Sequence, residues 1–294
     1  MLPLIIVAVV LLIALCVTWL LPGVRKRRHQ VRFIRATLAG ARKFDRRVIV
    51  SLSTVPDRVD NLRPTIDSLL KQTRLPDEIV LAIPEFSIRE QRPYIVPEYI
   101  SRLPRVRILR CSMDWGPATK FIPAIQDELV TGRENTLIMV VDDDRIYPRD
   151  ALETYLFYSR QLPNAALCFR GAAMPRTLDW DDAKMIKAKD LREPRPVAVI
   201  TGCGSYLVQP RFFDQSLWDY SKAPAIAFYI DDIWISAWLS RRGVKRYVVP
   251  ASAMMRSVRR QRGSVSLNQI PGRQKMNNET IAFFKDAWDV FASP

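Results

Sequence analysis

Four short apolar runs rich in Val and Ile set the strongest limit on how this chain can fold: VIVSLS (48–53), EIVLAIP (78–84), RVRILR (105–110) and TLIMVV (136–141). Each is strand-length and β-branched, and turn residues or amphipathic stretches separate them. Residues 63–72 carry Pro64 near the start and Ile66, Leu69 and Leu70 on one face, which predicts a helix. A second helix is expected over 118–129. Strand, helix, strand, repeated, means an α/β domain with a mostly parallel central sheet flanked by helices. In such sheets ligands bind beyond the carboxyl ends of the strands.

The second half is less regular. It predicts a helix over 151–161, strands over 165–171 and 197–201, a polar insertion over 178–190, and the turn-and-strand GCGSYLV (202–208). Trp234/Trp238 and Ile235/Leu239 repeat at spacing four, so a helix opens at Asp231–Asp232 and closes at Gly243. There is no internal repeat. A chain of 294 residues with 48% hydrophobic residues buries a full core as one large or two small domains.

The start of the chain, MLPLIIVAVVLLIALCVTWLLPG, is uncharged and long enough to cross a bilayer as a helix of about 20 residues. It lacks the basic start and small-residue cleavage site of a secretion signal, so residues 1–23 read as a retained transmembrane anchor. Ten Lys or Arg and one Asp follow within residues 25–47. The positive-inside rule then keeps this flank in the cytoplasm, with the N-terminus outside. The expectation is a single-pass protein, as in a bacterial inner membrane, with its catalytic body in the cytosol. Four scattered cysteines, Cys16, Cys111, Cys168 and Cys203, suit a reducing compartment.

The net charge of +15 is not a nucleic-acid signal once it is located. The juxtamembrane segment holds +9, residues 254–278 hold six bases with no acid, and the rest of the chain is neutral. A DNA or RNA binder spreads its bases over a reading face. Residues 24–46, with Val31, Phe33, Ile34, Leu38 and Phe44 interleaved, read as an amphipathic collar on anionic lipid; a solvated stop-transfer tail is the plainer alternative.

Chemistry concentrates in LIMVVDDDRIYP (137–148). Three carboxylates in a row after a buried strand repel one another unless a cation or a basic partner is present. Oxygen ligands of this kind suit Mg²⁺ or Mn²⁺, with phosphate oxygens and water completing the shell. A second acidic pair, Asp231–Asp232, opens an apolar helix. One of the two is expected to cap it. The other is then available to take a proton, and the two acidic sites together suit transfer from an activated phosphate donor to a hydroxyl.

These residues carry a resemblance. VVDDDRIYP resembles the DxD motif of GT-A fold glycosyltransferases, and YIDDIWISAWLSRRG is similar to the later acidic motif that supplies the base in inverting, family 2-like members. SLSTVPDRVDNLRPTIDSLLKQTRLPDEIVLAIP (51–84) and DWGPATK (114–120) match in the same order, and the likeness covers roughly residues 47–290. The resemblance implies a metal-dependent transferase that moves a sugar from a nucleotide sugar, a UDP-sugar, to a hydroxyl of a glycan or lipid-linked acceptor. Asp142 and Asp144 would form the metal site, with Asp142 toward the ribose or a metal-bound water and Asp143 assisting the donor sugar. Ser53, Thr54, Pro56 and Arg58 would contact the nucleotide, and Lys120 a phosphate, with Asp114 and Gly116 shaping its turn. Gly202 and Gly204 would let backbone approach the donor sugar or acceptor. Asp232, beside Asp231, would be the base.

One departure stands out: the metal shell of many such enzymes ends in a late His, yet the only histidine here is His29 in the collar. Arg259, Arg260 or Arg262 would then stabilise the leaving diphosphate from a basic lid. The implied division is an anchor (1–23), a basic segment (24–46), a GT-A catalytic domain (47–255) and a C-terminal lid with a terminal helix (256–294). Two other readings stay open: a metal-dependent nucleotidyl or phosphoryl transferase, and a non-catalytic, membrane-tethered glycan-binding protein on a degenerate fold. Four tryptophans, Trp115, Trp180, Trp218 and Trp234, are candidates to stack on sugars, although Trp234 fits the core better.

Overall fold

The structure is a computed structural model that describes residues 46–258 and 272–288. The apolar run 1–23, the collar up to residue 45, and Arg259, Arg260 and Arg262 lie outside the described residues. Among the described residues no helix is long and apolar enough to cross a membrane.

The first half alternates as the sequence predicts: β1 (Val48–Ser53), α1 (Arg63–Leu70), β2 (Glu78–Pro84), β3 (Val106–Cys111), α2 (Ile122–Val130) and β4 (Leu137–Val140). Every residue of β4 is buried, as are the first five of β1, because parallel strands in the middle of a sheet have both faces covered. The helix expected over 118–129 is split. A 3₁₀ turn over Gly116–Lys120 comes first, and α2 starts only after Phe121, with Pro123 in its first turn. Proline suits that position and lacks the N–H needed deeper in a helix.

The second half contains α3 (Ala151–Gln161), β5 (Ala165–Cys168), β6 (Arg170–Ala173), β7 (Lys184–Lys187), β8 (Val199–Ile200), β9 (Tyr206–Val208), α4 (Asp231–Arg241), β10 (Lys245–Val248) and α5 (Arg273–Phe283). The single strand expected over 165–171 is two. β5 joins the central sheet, whereas β6 pairs antiparallel with β7 and β8 in a separate three-stranded sheet built partly from the polar insertion. The central sheet has eight strands, ordered Arg195–Pro196, β10, β5, β9, β4, β1, β2, β3. It is parallel through β4, β1, β2 and β3 and between β5 and β10, and antiparallel where β9 enters and where the Arg195–Pro196 edge strand pairs with β10. The central sheet is thus mostly parallel, as the sequence predicts, with its antiparallel pairings confined to β9 and the Arg195–Pro196 edge strand.

Register positions the site. Val50 lies between Ile79 of β2 and Met139 of β4, so β1 and β4 end side by side. β9 runs against β4 with Tyr206 opposite Val140, which brings the Gly202–Gly204 turn to the same edge. α4 is tied to β8, the strand that leads into that turn, through Ser236, whose Oγ accepts from Ile200 N at 3.0 Å and donates to Asp232 O at 2.6 Å. Gly243 adopts φ +68°, and Gly243 N and Val244 N cap the last carbonyls of α4 at 2.8 Å each. Trp234 is fully buried, while Trp115, Trp180 and Trp218 pack half-buried against the core.

Candidate active site

The loop after β1, the end of β4 and the start of α4 open into one cleft. It is lined by Ser53, Thr54, Arg58, Lys120, Asp142, Asp143, Asp144, Asp231 and Asp232 among others. Pro56 is buried at the start of a 3₁₀ turn over Pro56–Asn61 and shapes the loop without lining the cleft.

The repulsion within the aspartate triplet is answered by bases of the chain itself. Asp142 Oδ1 accepts from Lys120 Nζ at 3.0 Å. Asp143 pairs with Arg58 at 3.1 Å and accepts from Thr54 Oγ1 at 2.6 Å. Asp144 lies 3.3 Å from Arg145 Nε and 3.9 Å from Arg58. Burial opposes the charge of Asp142, but Lys120 overrides it and holds the carboxyl below the ordinary range. Burial wins at Asp143, whose carboxyl is pushed up to about 6 despite Arg58 and Thr54. The sequence had left a cation or a basic partner open; Arg58, Lys120 and Arg145 are such partners.

Lys120 lines the cleft, and its amine is engaged by carboxylates from both acidic motifs. Its Nζ sits between the two acidic motifs, 3.0 Å from Asp142 and 2.9 Å from Asp231 Oδ2. The second contact is an ion pair, and Asp231 Oδ2 is buried without a hydrogen-bond partner among the described residues. Burial disfavours the ammonium, yet the carboxylates hold it well above its ordinary pKa.

The capping role expected of the acidic pair does not occur. The N-cap of α4 is Ile230, and no side chain caps the helix. Both aspartates lie in the first turn, where the helix dipole favours negative charge. Asp232 Oδ1 accepts instead from Gly202 N at 2.8 Å. Its carboxyl is enclosed on most sides and open to the cleft on one, and burial followed by the charge of Asp231 pushes it up to about 7 against the pull of Lys120.

The two glycines separate in role. A Cβ on Gly202 would meet Lys120 Nζ at 2.4 Å, Asp232 Oδ1 at 3.1 Å and Asp142 Oδ1 at 3.3 Å, so only a glycine brings its N–H this close to the acidic centre. Gly204 packs against the Arg170 backbone and does not line the cleft. Cys203 between them does, with its Sγ 2.5 Å from Arg170.

Several lining residues had no motif to mark them. Arg273, at the start of α5, faces the cleft and donates to Tyr229 O at 2.7 Å, two residues before the acidic pair. Arg145 and the Ser87–Tyr94 turn form further wall. Arg145 was legible in principle as the base directly after three acids.

The donor set can be tested against a divalent cation. Among the described residues no group of three or more His, Cys, Asp or Glu is arranged to hold a metal by itself. Mg²⁺ and Mn²⁺ sites that serve diphosphates need only one or two carboxylates, the rest being phosphate oxygens and water. Asp142 and Asp144, which both line the cleft, fit a cation arriving with such a ligand, and do not form a preformed cage.

An α/β sheet with acidic residues at its carboxyl edge fits a GT-A-like transferase domain, and the family match bears this out. Residues 55–217 match the family model "Glycosyl transferase family 2", and the chain belongs to that family. No curated protein matches the sequence. Among solved structures, "GalNAc-T7 with UDP, GalNAc and Mn2+" aligns with TM-score 0.50 at 16% identity, over 75% of this chain and 46% of that one. This chain thus spans less than half of that protein. "4-diphosphocytidyl-2C-methyl-D-erythritol synthase" aligns with TM-score 0.43 at 14% identity, over 81% of this chain and 100% of that one. "S. aureus TarS 1-349" aligns with TM-score 0.44 at 10% identity, over 72% and 60%.

Proposed function

We propose that the protein is a membrane-anchored glycosyltransferase that moves a sugar from a nucleoside-diphosphate sugar, a UDP-sugar, to a hydroxyl of a glycan or lipid-linked acceptor with inversion. The observation that carries this reading is Asp232: a cleft-facing carboxylate held by Gly202 N, with its pKa raised into the working range of a general base. The acceptor hydroxyl gives its proton to Asp232 while its oxygen forms a bond to the anomeric carbon. The bond from that carbon to the diphosphate oxygen breaks, and the nucleoside diphosphate leaves with the electron pair.

Arg58, with Ser53 and Thr54 beside it, is placed to receive the nucleotide end of the donor. Asp142 and Asp144 would hold a divalent cation, which supplies charge neutralisation to the diphosphate when bound. Lys120 keeps the two acidic motifs together at the floor of the cleft. Residues 1–23 are the proposed anchor, with the domain on the cytoplasmic side of a single-pass membrane protein.

The test is a screen of nucleotide sugars against the full protein, scored by release of nucleoside diphosphate and its loss with a chelator. Release of pyrophosphate or inorganic phosphate in place of nucleoside diphosphate would overturn the reading in favour of a nucleotidyl or phosphoryl transferase. If Asp144→Asn and Asp232→Asn both retain full function in cells, the protein is a binding module.

A further inference from the structure

Five large apolar side chains are exposed among the described residues: Phe86, Ile88, Ile95, Met113 and Val130. Four of them come from two neighbouring segments. Phe86–Ser87 pairs antiparallel with Arg92–Pro93, with Phe86 opposite Pro93, in a small hairpin directly after β2. Along it Ser87 and Tyr94 are buried while Phe86, Pro93 and Ile95 are exposed, and Ile88, in the turn that follows Ser87, is exposed at the lip of the cleft. Pro84 pairs with Cys111 of β3, and Glu85 N donates to Cys111 O at 3.1 Å, which sets Met113 beside the hairpin. Isolated exposed apolar residues need no explanation; a group of this kind marks an interaction surface.

The patch is fastened to the cleft. Ile88 N donates to Asp114 Oδ2 at 2.8 Å, Tyr94 Oη donates to Thr54 O at 3.0 Å, and Arg92 pairs with Asp57. Ser87, Ile88 and Tyr94 line the cleft wall whose outer side carries Phe86 and Ile95. Whatever covers the patch therefore lies at the mouth of the site.

We infer that this rim docks on an anionic lipid bilayer, with Phe86, Ile88, Ile95 and Met113 in the interfacial layer and the cleft opening onto the membrane surface. The inference rests on the membrane-anchored reading above. One feature favours lipid as the occupant: the chain starts with an apolar run and a basic segment that would keep the domain at a bilayer and draw it to anionic headgroups. The chain reaches β1 at the opposite edge of the sheet, roughly 20 Å from the cleft for a strand of this length. Residues 24–45 can span that distance either as helix or as extended chain. An acceptor held in the membrane would then meet Asp232 without leaving its leaflet.

Val130 supplies an internal control, since it is 89% exposed against 83% for Ile95 and lies at the end of α2, away from the hairpin. Full-length Ile95→Cys and Val130→Cys proteins are reconstituted into phosphatidylglycerol vesicles and into phosphatidylcholine vesicles. Both are treated with a bulky, membrane-impermeant maleimide, and the background of the native cysteines is taken from the unaltered protein. In phosphatidylglycerol the Ile95→Cys thiol should react roughly tenfold more slowly than the Val130→Cys thiol, and high salt should reduce the difference.

Equal rates at the two positions in phosphatidylglycerol overturn the inference. So does equal protection in both lipids or in detergent, which would assign the patch to a second copy of the chain or to a bound acceptor. Asp232→Asn in the Ile95→Cys background should leave the protection unchanged, so docking and catalysis are scored apart. A full-length protein that fails to partition with vesicles at all refutes the anchor itself.

Discussion

Asp232 is a carboxylate whose surroundings work against its ionisation, and in the proposed reaction that makes it both a base and a burden. As a base it must be charged, so kcat/KM should fall as pH drops through about 7. Asp232→Asn should lower turnover by roughly 10²–10⁴-fold while leaving donor affinity nearly unchanged. The same raised pKa has a consequence for stability. A carboxyl that holds its proton more tightly in the folded than in the unfolded state contributes stability at low pH, and loses it as pH rises toward the folded value. Asp232→Asn should therefore raise Tm more at pH 8 than at pH 4, which thermal denaturation at the two pH values checks. An inactive variant with the same Tm gain at both would show that the carboxylate is not perturbed as the geometry implies. Lys120 makes the opposite case. If it were only a phosphate ligand, Lys120→Met would leave the free protein as stable as before. Placed between Asp142 and Asp231, its loss strands two carboxylates, one of them buried, at a cost of about 3–5 kcal/mol measurable by denaturant unfolding.

Between elements, the contact that matters most is the one from α4 to β8 and the turn that follows it. Ser236 is fully buried, and its hydroxyl satisfies Ile200 N while anchoring on Asp232 O. Ser236→Ala should cost about 1–3 kcal/mol, because a buried N–H loses its partner. It should also lower kcat more than it weakens donor binding, since the Gly202 N–H that orients Asp232 follows Ile200 by two residues. Unchanged kcat with the full stability loss would confine Ser236 to a structural role. This turn also shows where sequence stops being legible. β1, β2 and β4 could be read directly, because strands covered on both faces must be apolar throughout. The triplet and the Asp231–Asp232 pair were visible for the opposite reason, as charges set against apolar runs. The split of 165–171 at Phe169, the two-residue strands and the 3₁₀ turn ahead of α2 depend on which sheet captures each segment, and local pattern does not encode that choice. The role of Lys120 was hidden likewise, since its two partners come from segments more than a hundred residues apart in one case and about twenty in the other. The rim of the cleft had no motif; its only signal is exposure of apolar side chains, a property of the folded surface.

Across the whole molecule, the site draws on segments far apart in the chain: Ser53–Arg58 after β1, Asp142–Asp144 after β4, and Asp231–Asp232 on α4. No unfolded chain presents these together, so a ligand that needs all of them binds only the native state and raises the temperature at which the domain unfolds. At a ligand concentration about 100 times Kd the gain is about 2.7 kcal/mol. For a domain of this size that corresponds to a Tm rise of roughly 5–10 °C. UDP with Mn²⁺ should produce such a shift in the native protein, and a chelator should remove most of it. Asp144→Asn should reduce the shift because in the proposed site its carboxylate is one of the two that would share a cation with the diphosphate. Asp232→Asn should keep it, since in the proposed reaction Asp232 serves the acceptor and not the donor. A shift equally large in Asp144→Asn, or one indifferent to the chelator, would assign the triplet's charge wholly to Arg58, Lys120 and Arg145 and leave no part in donor binding for a divalent cation.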